Sequence, residues 1–200
     1  MRRVFVHSGD SAGAADALTL ARELATRTGA ELSLNGAAPG ASDLIVSERL
    51  LEEAPAALAL APAGLASAEL RLERVAVGHD GSRESARALD LGTELAHRLG
   101  AQLTILGVVE PSLELTRAAE EERISRHLER ALDAVPPAVL AESRLLNGDT
   151  AAVLSDAGER ADLIVLGSRS HFGSRARMRP GSVGAAVARS ARVPTVIATA

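Results

Sequence analysis

The stretch RVAVGHDGSRESARALDLGTELAHRLG at 74–100 reads in order as strand, turn and helix, and a near-copy, RVFVHSGDSAGAADALTLARELATRTG, stands at 3–29. Residues 74–78 are a short β-branched run ending in glycine, and His79, Asp80, Gly81 and Ser82 make a turn. Ala86, Leu89, Ala96 and Leu99, with Leu91 and Leu95 beside them, then form one apolar helix face that Gly100 brings to an end. The copy runs without a gap from 3–36 to 74–107 at an offset of 71, with sixteen identities in thirty-four pairs, among them Val4/Val75, Ser11/Ser82, Leu24/Leu95 and Gly29/Gly100. A match of this length marks an internal repeat. It resumes at 43–46 against 162–165 with an offset of 119, and at 55–61 against 194–200 with an offset of 139. The jump between those offsets means that the first copy lacks the glycine- and arginine-bearing stretch that follows Val165.

Outward from this unit the pattern continues. Residues 102–109 are almost wholly apolar and close at Glu110-Pro111, as expected of a strand buried on both faces. Residues 112–135 form a charged helix with a buried stripe of Ile124, Leu128, Ala131, Leu132 and Val135, ended by Pro136-Pro137. A strand at 138–146, a turn at Asn147-Gly148-Asp149, a helix at 150–160, a buried strand at 163–166, a loop to Arg179, a helix at 181–191 and a strand at 195–198 complete the chain. This alternation dictates an α/β fold: a doubly wound, parallel five-stranded sheet ordered 3-2-1-4-5, with helices on both faces. The first copy keeps a strand at 4–7, a helix at 11–28, strands at 32–34 and 43–46, a helix at 48–54 and a strand at 56–60. Two domains are expected, a truncated one at 1–66 and a complete one at 72–200, joined by a linker at 61–71 that contains Pro62 and Gly64. The first is expected to be marginal by itself.

Composition narrows the function. Aromatics are only 1% and hydrophobic residues 46%, so alanine, leucine and valine build the core. A net charge of -4 argues against a general polyanion binder, and the absence of cysteine excludes disulfides and thiolate chemistry. The opening residues turn polar too soon for a signal peptide, and no apolar run is long enough to span a membrane, so a cytoplasmic protein is expected. Neither a Gly-x-Ser-x-Gly elbow nor metal-ligand spacing of histidines occurs. Nucleic-acid binding through the arginine loop would lack stacking partners, since Phe172 is the one aromatic near it.

Two segments stand out as candidate chemistry: 77–82 after the first strand of the complete copy, and 167–183 after its fourth. In a sheet ordered 3-2-1-4-5 these strands are neighbours where the winding reverses, so both loops open into one crevice. Gly78 and Gly167 permit close backbone approach, and Gly181-Ser182-Val183 begins a helix whose free N–H groups favour an anion. Asp80, opposite, can accept from a ribose hydroxyl or hold Mg²⁺. The loop also carries Arg169, His171, Arg175, Arg177 and Arg179, whose guanidiniums could meet a phosphate or simply balance acidic helices. A second reading stands beside the first: Asp80-Gly81-Ser82 caps the following helix, and Gly167 only turns the chain. His79 beside Asp80 and His171 in the loop could pair for proton transfer or stand as solvated bystanders. His7, His97 and His127 show no metal-ligand spacing, with His97 and His127 on mostly polar helix positions, and Glu120-Glu121-Glu122 with Arg123 and Arg126 read as a solvated face of ion pairs.

The second copy resembles a universal stress protein domain in its ordered motifs: Val-x-x-Asp-Gly-Ser, Val108-Val109-Glu110-Pro111, Gly148-Asp149, 161–168 and Val193-Pro194-Thr195-Val196. The first resembles a shortened domain of the same family. The resemblance implies ATP or AMP held by a loop of the form Gly-x2-Gly-x9-Gly-Ser/Thr, here Gly167, Gly181 and Ser182 at the phosphates. It places Asp80 at the ribose or Mg²⁺, and Val108 and Leu166 near the base. Ser170 stands where the second glycine of that pattern belongs, and ten residues instead of nine separate it from Gly181. It further implies pairing through the last strands, 56–60 and 195–198, as an intramolecular pseudo-dimer open to further homodimerisation. Binding by the second copy alone, in a stress or regulatory protein with at most weak ATPase activity, is the expectation. The rival is a nucleotide-free scaffold with a degenerate loop.

Overall fold

The computed structural model describes all residues except 8–10, 12, 35–38, 40–42, 50, 52, 55–56, 112–113, 158–159, 169–175, 178–181 and 199–200, with backbone alone at 53–54, 114–116 and 176–177. The first half contains β1 (Arg3–Val6), α1 (Ala14–Thr28), β2 (Glu31–Leu34), β3 (Leu44–Ser47), β4 (Glu53–Ala54) and β5 (Ala57–Leu60). The second contains β6 (Arg74–Gly78), α2 (Arg83–Leu99), β7 (Gln102–Val109), α3 (Glu114–Asp133), β8 (Ala141–Asn147), α4 (Thr150–Asp156), β9 (Leu163–Gly167), β10 (Ala176–Arg177), α5 (Val183–Ser190) and β11 (Thr195–Ala198).

The repeated unit folds as its residues dictate. Val75 and Val77 alternate onto the face that α2 covers, Ser82 caps α2, and Gly100 ends it at φ 66°, a left-handed conformation that glycine adopts without cost. Gly29 ends α1 in the same way at φ 68°. Each half then locks its first strand to a later one with the same ion pair. Arg3 Nη2 meets Asp43 Oδ2 at 2.8 Å, and Arg74 Nη2 meets Asp162 Oδ1 at 2.6 Å, with both aspartates buried.

One nine-stranded sheet, ordered β2-β1-β3-β5-β11-β9-β6-β7-β8, runs through the molecule. Its second half is the 3-2-1-4-5 arrangement expected of the complete copy. Every pairing is parallel except the central one, where β5 and β11 run antiparallel with Thr195 opposite Leu60 and Ile197 opposite Leu58. In the first half Ile45 lies opposite Leu58, whereas in the second Ile164 lies opposite Thr195, so the last strand is shifted by two residues relative to the sequence repeat. A shift of two keeps the same side chains on the same face.

Around this sheet a single apolar cluster joins the halves, including Leu20 and Leu24 of α1 with Leu95 and Leu99 of α2. The two helices also exchange equivalent bonds: Arg27 Nη2 donates to the Leu99 carbonyl and Arg98 Nη1 to the Thr28 carbonyl, each at 3.2 Å. Residues 61–71 are no loose tether, because the Asp16 carboxylate accepts from the N–H groups of Gly64 and Ala66, and Leu65 is buried.

The helix expected at 48–54 does not form. β3 extends to Ser47, and the backbone of β4 pairs antiparallel with β10, Ala54 opposite Ala176 and Glu53 opposite Arg177. A helix of so few residues is poorly nucleated, and Pro55 disfavours helical geometry at Ala54, so the extended partner wins. The loop expected to run unbroken to Arg179 therefore contains a short strand held against the first half.

Candidate functional site

Strands β6 and β9 are neighbours, Val75 opposite Leu163 and Val77 opposite Val165. The helices that follow them leave to opposite faces. Val75, Val77 and Val165 pack with α2, whereas Ala76, Ile164 and Leu166 pack with Val187 of α5 and Leu154 of α4. Where the winding reverses, a crevice of about 810 Å³ opens at the carboxyl ends of the strands. Its apolar floor includes Gly78, Leu106, Val108, Leu154 and Leu166.

One wall is the turn after β6. Asp80 Oδ1 accepts from the Ser82 N–H at 2.9 Å, and Ser82 Oγ accepts from the Ser85 N–H at 3.2 Å. Both residues therefore cap α2, as the second reading of the sequence has it, and both line the crevice as well. The opposite wall is the end of β9 and the start of α5, where Ser182 Oγ accepts from the Ala185 N–H at 3.2 Å. Gly167 is required at this corner: a Cβ there would stand 2.4 Å from the carbonyl carbon and oxygen of Glu84 and 2.8 Å from the Ser85 nitrogen. The N-terminal ends of α2 and α5 thus face one space, each with its positive dipole end toward it.

Of the residues singled out in the sequence, the structure brings together Gly78, Asp80, Val108, Leu166, Gly167, Ser182 and Val183. Arg169, Ser170, His171, Arg175, Arg179 and Gly181 lie outside the described residues, as does the side chain of Arg177. His97 and His7 take no part in the crevice lining.

His79 is no solvated bystander. It is 9% exposed, its Nδ1 is buried without a hydrogen-bond partner, and it lines the crevice. Burial pushes its imidazole below the ordinary histidine value, and His127 adds to this, while the Ser85 backbone and Asp80 oppose it. The signal was in the sequence, since the two-residue alternation that buries Val75 and Val77 continues onto position 79. His127 was also missed: its ring lies over Gly81, where a Cβ would stand 2.5 Å from Nδ1. The charged face of α3 does pair internally as expected, Arg117 with Glu121 and Arg126 with Glu122. Arg123 does more. Held by Glu120 at 2.7 Å, it lines the crevice and donates from Nη1 to the Asp80 carbonyl at 3.3 Å. Across the rim Thr150 Oγ1 donates to Glu110 Oε1 at 2.7 Å.

The lining carries the carboxylates of Asp80, Glu84, Glu110 and Glu120 against one arginine, Arg123, among the described residues. No group of three or more His, Asp or Glu with metal-holding geometry occurs among them. No helix among them is long and apolar enough to cross a membrane.

Comparison with known proteins agrees with this architecture. A universal stress protein structure in complex with cAMP shares 29% identity over 62% of this chain and 95% of its own, with a TM-score of 0.50. A universal stress protein family member from Burkholderia pseudomallei shares 28% identity over 64% of this chain and 97% of its own, with a TM-score of 0.53. A Pseudomonas aeruginosa protein assigned to the family is only 13% identical, but it covers 99% of this chain and 93% of its own at a TM-score of 0.59, so the fold of both halves recurs there. No functionally curated protein matches the chain. The universal stress protein family model matches residues 71–199, the whole of the half that holds the crevice, and with that match the chain belongs to the universal stress protein family.

Proposed function

We propose that this universal stress protein binds one adenine nucleotide per chain, ATP or AMP, in the crevice between 78–82 and 167–183. The observation that carries the reading is the convergence of two capped helix N-termini, α2 at Ser82 and α5 at Ser182, on one crevice of nucleotide size beside Asp80. The apolar floor at Val108 and Leu166 suits a base, and Gly167 lets the first turn of α2 come up against the end of β9 at the mouth of the crevice. The family member in complex with cAMP supports the same ligand class. Because carboxylates outnumber the one arginine of the described lining, Mg²⁺ is the natural companion of a triphosphate. Asp80 would share it with phosphate oxygens, as magnesium sites of one or two carboxylates do. Binding rather than turnover is the role: a ligand held there changes the surface offered to a partner, in a cytoplasmic stress or regulatory protein.

The tandem organisation belongs to the same proposal. The antiparallel pairing of β5 with β11 and the reciprocal bonds of Arg27 and Arg98 are what an intramolecular pseudo-dimer requires, since equivalent residues exchange equivalent contacts across a two-fold axis. The scaffold reading is kept by Ser170 and the extra residue before Gly181, which depart from the family's phosphate loop. Mass spectrometry of the purified protein after denaturation, followed by titration calorimetry, decides between them. Co-purified or titrated adenine nucleotide at one equivalent is expected. No binding at roughly millimolar nucleotide, a free energy of only about -4 kcal/mol, leaves the scaffold in its place.

A further inference from the structure

A second cleft, of about 700 Å³, opens at the junction of the halves, between the C-terminal end of α5 and the segments that follow β3 and β5. None of its lining residues belongs to the first crevice. Its floor is apolar, with Leu60, Ala61, Pro62, Ala188 and Ala191, and its rim carries Arg49, Arg189 and Arg192. These three arginines are exposed, and among the described residues no carboxylate pairs with any of them. Arg74, Arg98, Arg117 and Arg123, by contrast, each meet an aspartate or glutamate. Glu48, which also borders the cleft, is engaged by Ser11, whose hydroxyl donates to Oε1 at 2.9 Å.

We propose that this cleft docks an acidic segment of a partner protein, one that alternates apolar side chains with carboxylates. Guanidinium groups match carboxylates with paired, planar hydrogen bonds, and the apolar floor between them takes the intervening side chains. A bare anion would leave that floor unused. No aromatic residue lines the cleft to stack a nucleic-acid base. Arg189, in the last turn of α5, and Arg192, just past its C-cap, can also ease the negative end of that helix, but Arg49 has no such use.

The test measures binding of a fluorescein-labelled octapeptide of alternating leucine and glutamate to the full chain by anisotropy. It compares the parent with Arg49→Glu/Arg189→Glu/Arg192→Glu and with a control reversing three exposed arginines elsewhere, Arg22→Glu/Arg87→Glu/Arg130→Glu. Both variants change net charge equally, and thermal melting verifies that both fold. Salt-sensitive binding that falls at least about tenfold in the cleft variant, stays within about twofold in the control, and is lost when glutamine replaces glutamate in the peptide is the expected result. Equal binding by parent and cleft variant overturns the proposal. So does displacement of the peptide by an equal concentration of inorganic phosphate, which would make the cleft a free-anion site. A parent dimer in sedimentation that the cleft variant dissolves overturns it too, by making a second copy the occupant.

Discussion

The two halves build the same corner in opposite ways. At the end of β9 the second half has Gly167, lying so close to the first turn of α2 that a Cβ would touch the Glu84 carbonyl. By the repeat offsets its counterpart after β3 is Glu48, and the counterpart of Glu84 is Gly13. The glycine has changed sides: a Cβ on Gly13 would stand 2.8 Å from the Glu48 Cβ. In the second half the bare strand end leaves the helix N-terminus facing a crevice. In the first, the side chain of Glu48 lies at the start of α1 and accepts from Ser11, supplying by itself the negative charge that an anionic ligand would bring. One Cβ, moved from helix to strand, separates an open corner from a filled one.

The largest expected effect comes from giving the second half the first half's solution. Gly167→Glu drives a Cβ into the backbone of Glu84 and Ser85, so urea unfolding should show a loss of about 3 kcal/mol, and calorimetry no nucleotide binding. Adding Glu84→Gly, which completes the exchange, leaves the Glu84 and Ser85 backbone atoms where they are, so it should recover neither the stability nor the binding. A double variant that binds nucleotide as the parent does would show that the corner does not decide occupancy.

Next in size is Asp80→Ala, which removes the proposed polar partner of the sugar or metal and the acceptor for the Ser82 N–H. Titration calorimetry should show nucleotide affinity weakened by about 1 to 3 kcal/mol, while stability falls by no more than about 1 kcal/mol. The first half has no equivalent carboxylate in register, since Gly9 aligns with Asp80, so stoichiometry should stay at one nucleotide per chain even in Glu48→Ala.

A pH experiment sharpens the shared ion pair. Burial by itself would raise the Asp162 carboxyl, but hydrogen bonds from the Arg74 side chain and from the N–H groups of Glu73 and Arg74 outweigh it and hold it below its ordinary value. A carboxyl depressed in the folded state adds stability above its unfolded pKa and loses that stability as pH falls through the folded one. Asp162→Asn should therefore cost about 1 to 2 kcal/mol at neutral pH, and chemical denaturation should find the difference from the parent shrinking below about pH 4.

Smaller still is Gly92→Ala on α2, where a Cβ would stand 2.3 Å from Val77 Cγ2, although the equivalent position in α1 is the buried Ala21. Crowding should outweigh the helix-propensity gain and leave a net loss of about 1 kcal/mol, read from the melting curve. Ser170→Gly is the smallest change. Nucleotide affinity should be unaltered or stronger, because it restores backbone freedom where the family's loop has it, and a weaker affinity in calorimetry would count against the loop as a phosphate cradle.

Much of this was legible in the residues. Alternation in 74–78, the 3.6-residue period of 83–99 and the glycines that stop both helices are local signals, and local structure followed them. The strand order read from the alternation made the first and fourth strands of the complete copy neighbours, and so named the two walls of the crevice. The segment 48–54 misled because its helical pattern is short and its backbone found a partner, β10, more than a hundred residues away. His79 looked like a turn residue because a turn motif follows it, although the alternation of Val75 and Val77 already turned its position inward.

The sequence by itself therefore determined the order of strands and helices outside 48–54 and 176–177, the repeat, the doubly wound class and the place where the winding reverses, because each rests on repeated local patterns. Tertiary structure decided what depends on distant chain segments meeting. These are the two-residue shift of β5, the antiparallel seam with β11, the shared core of α1 and α2, the fate of Glu48, and the arginine-rimmed cleft at the junction. Hydrogen-bonding partners and the close approach of backbones fix such features, and no local pattern encodes which distant backbone will arrive.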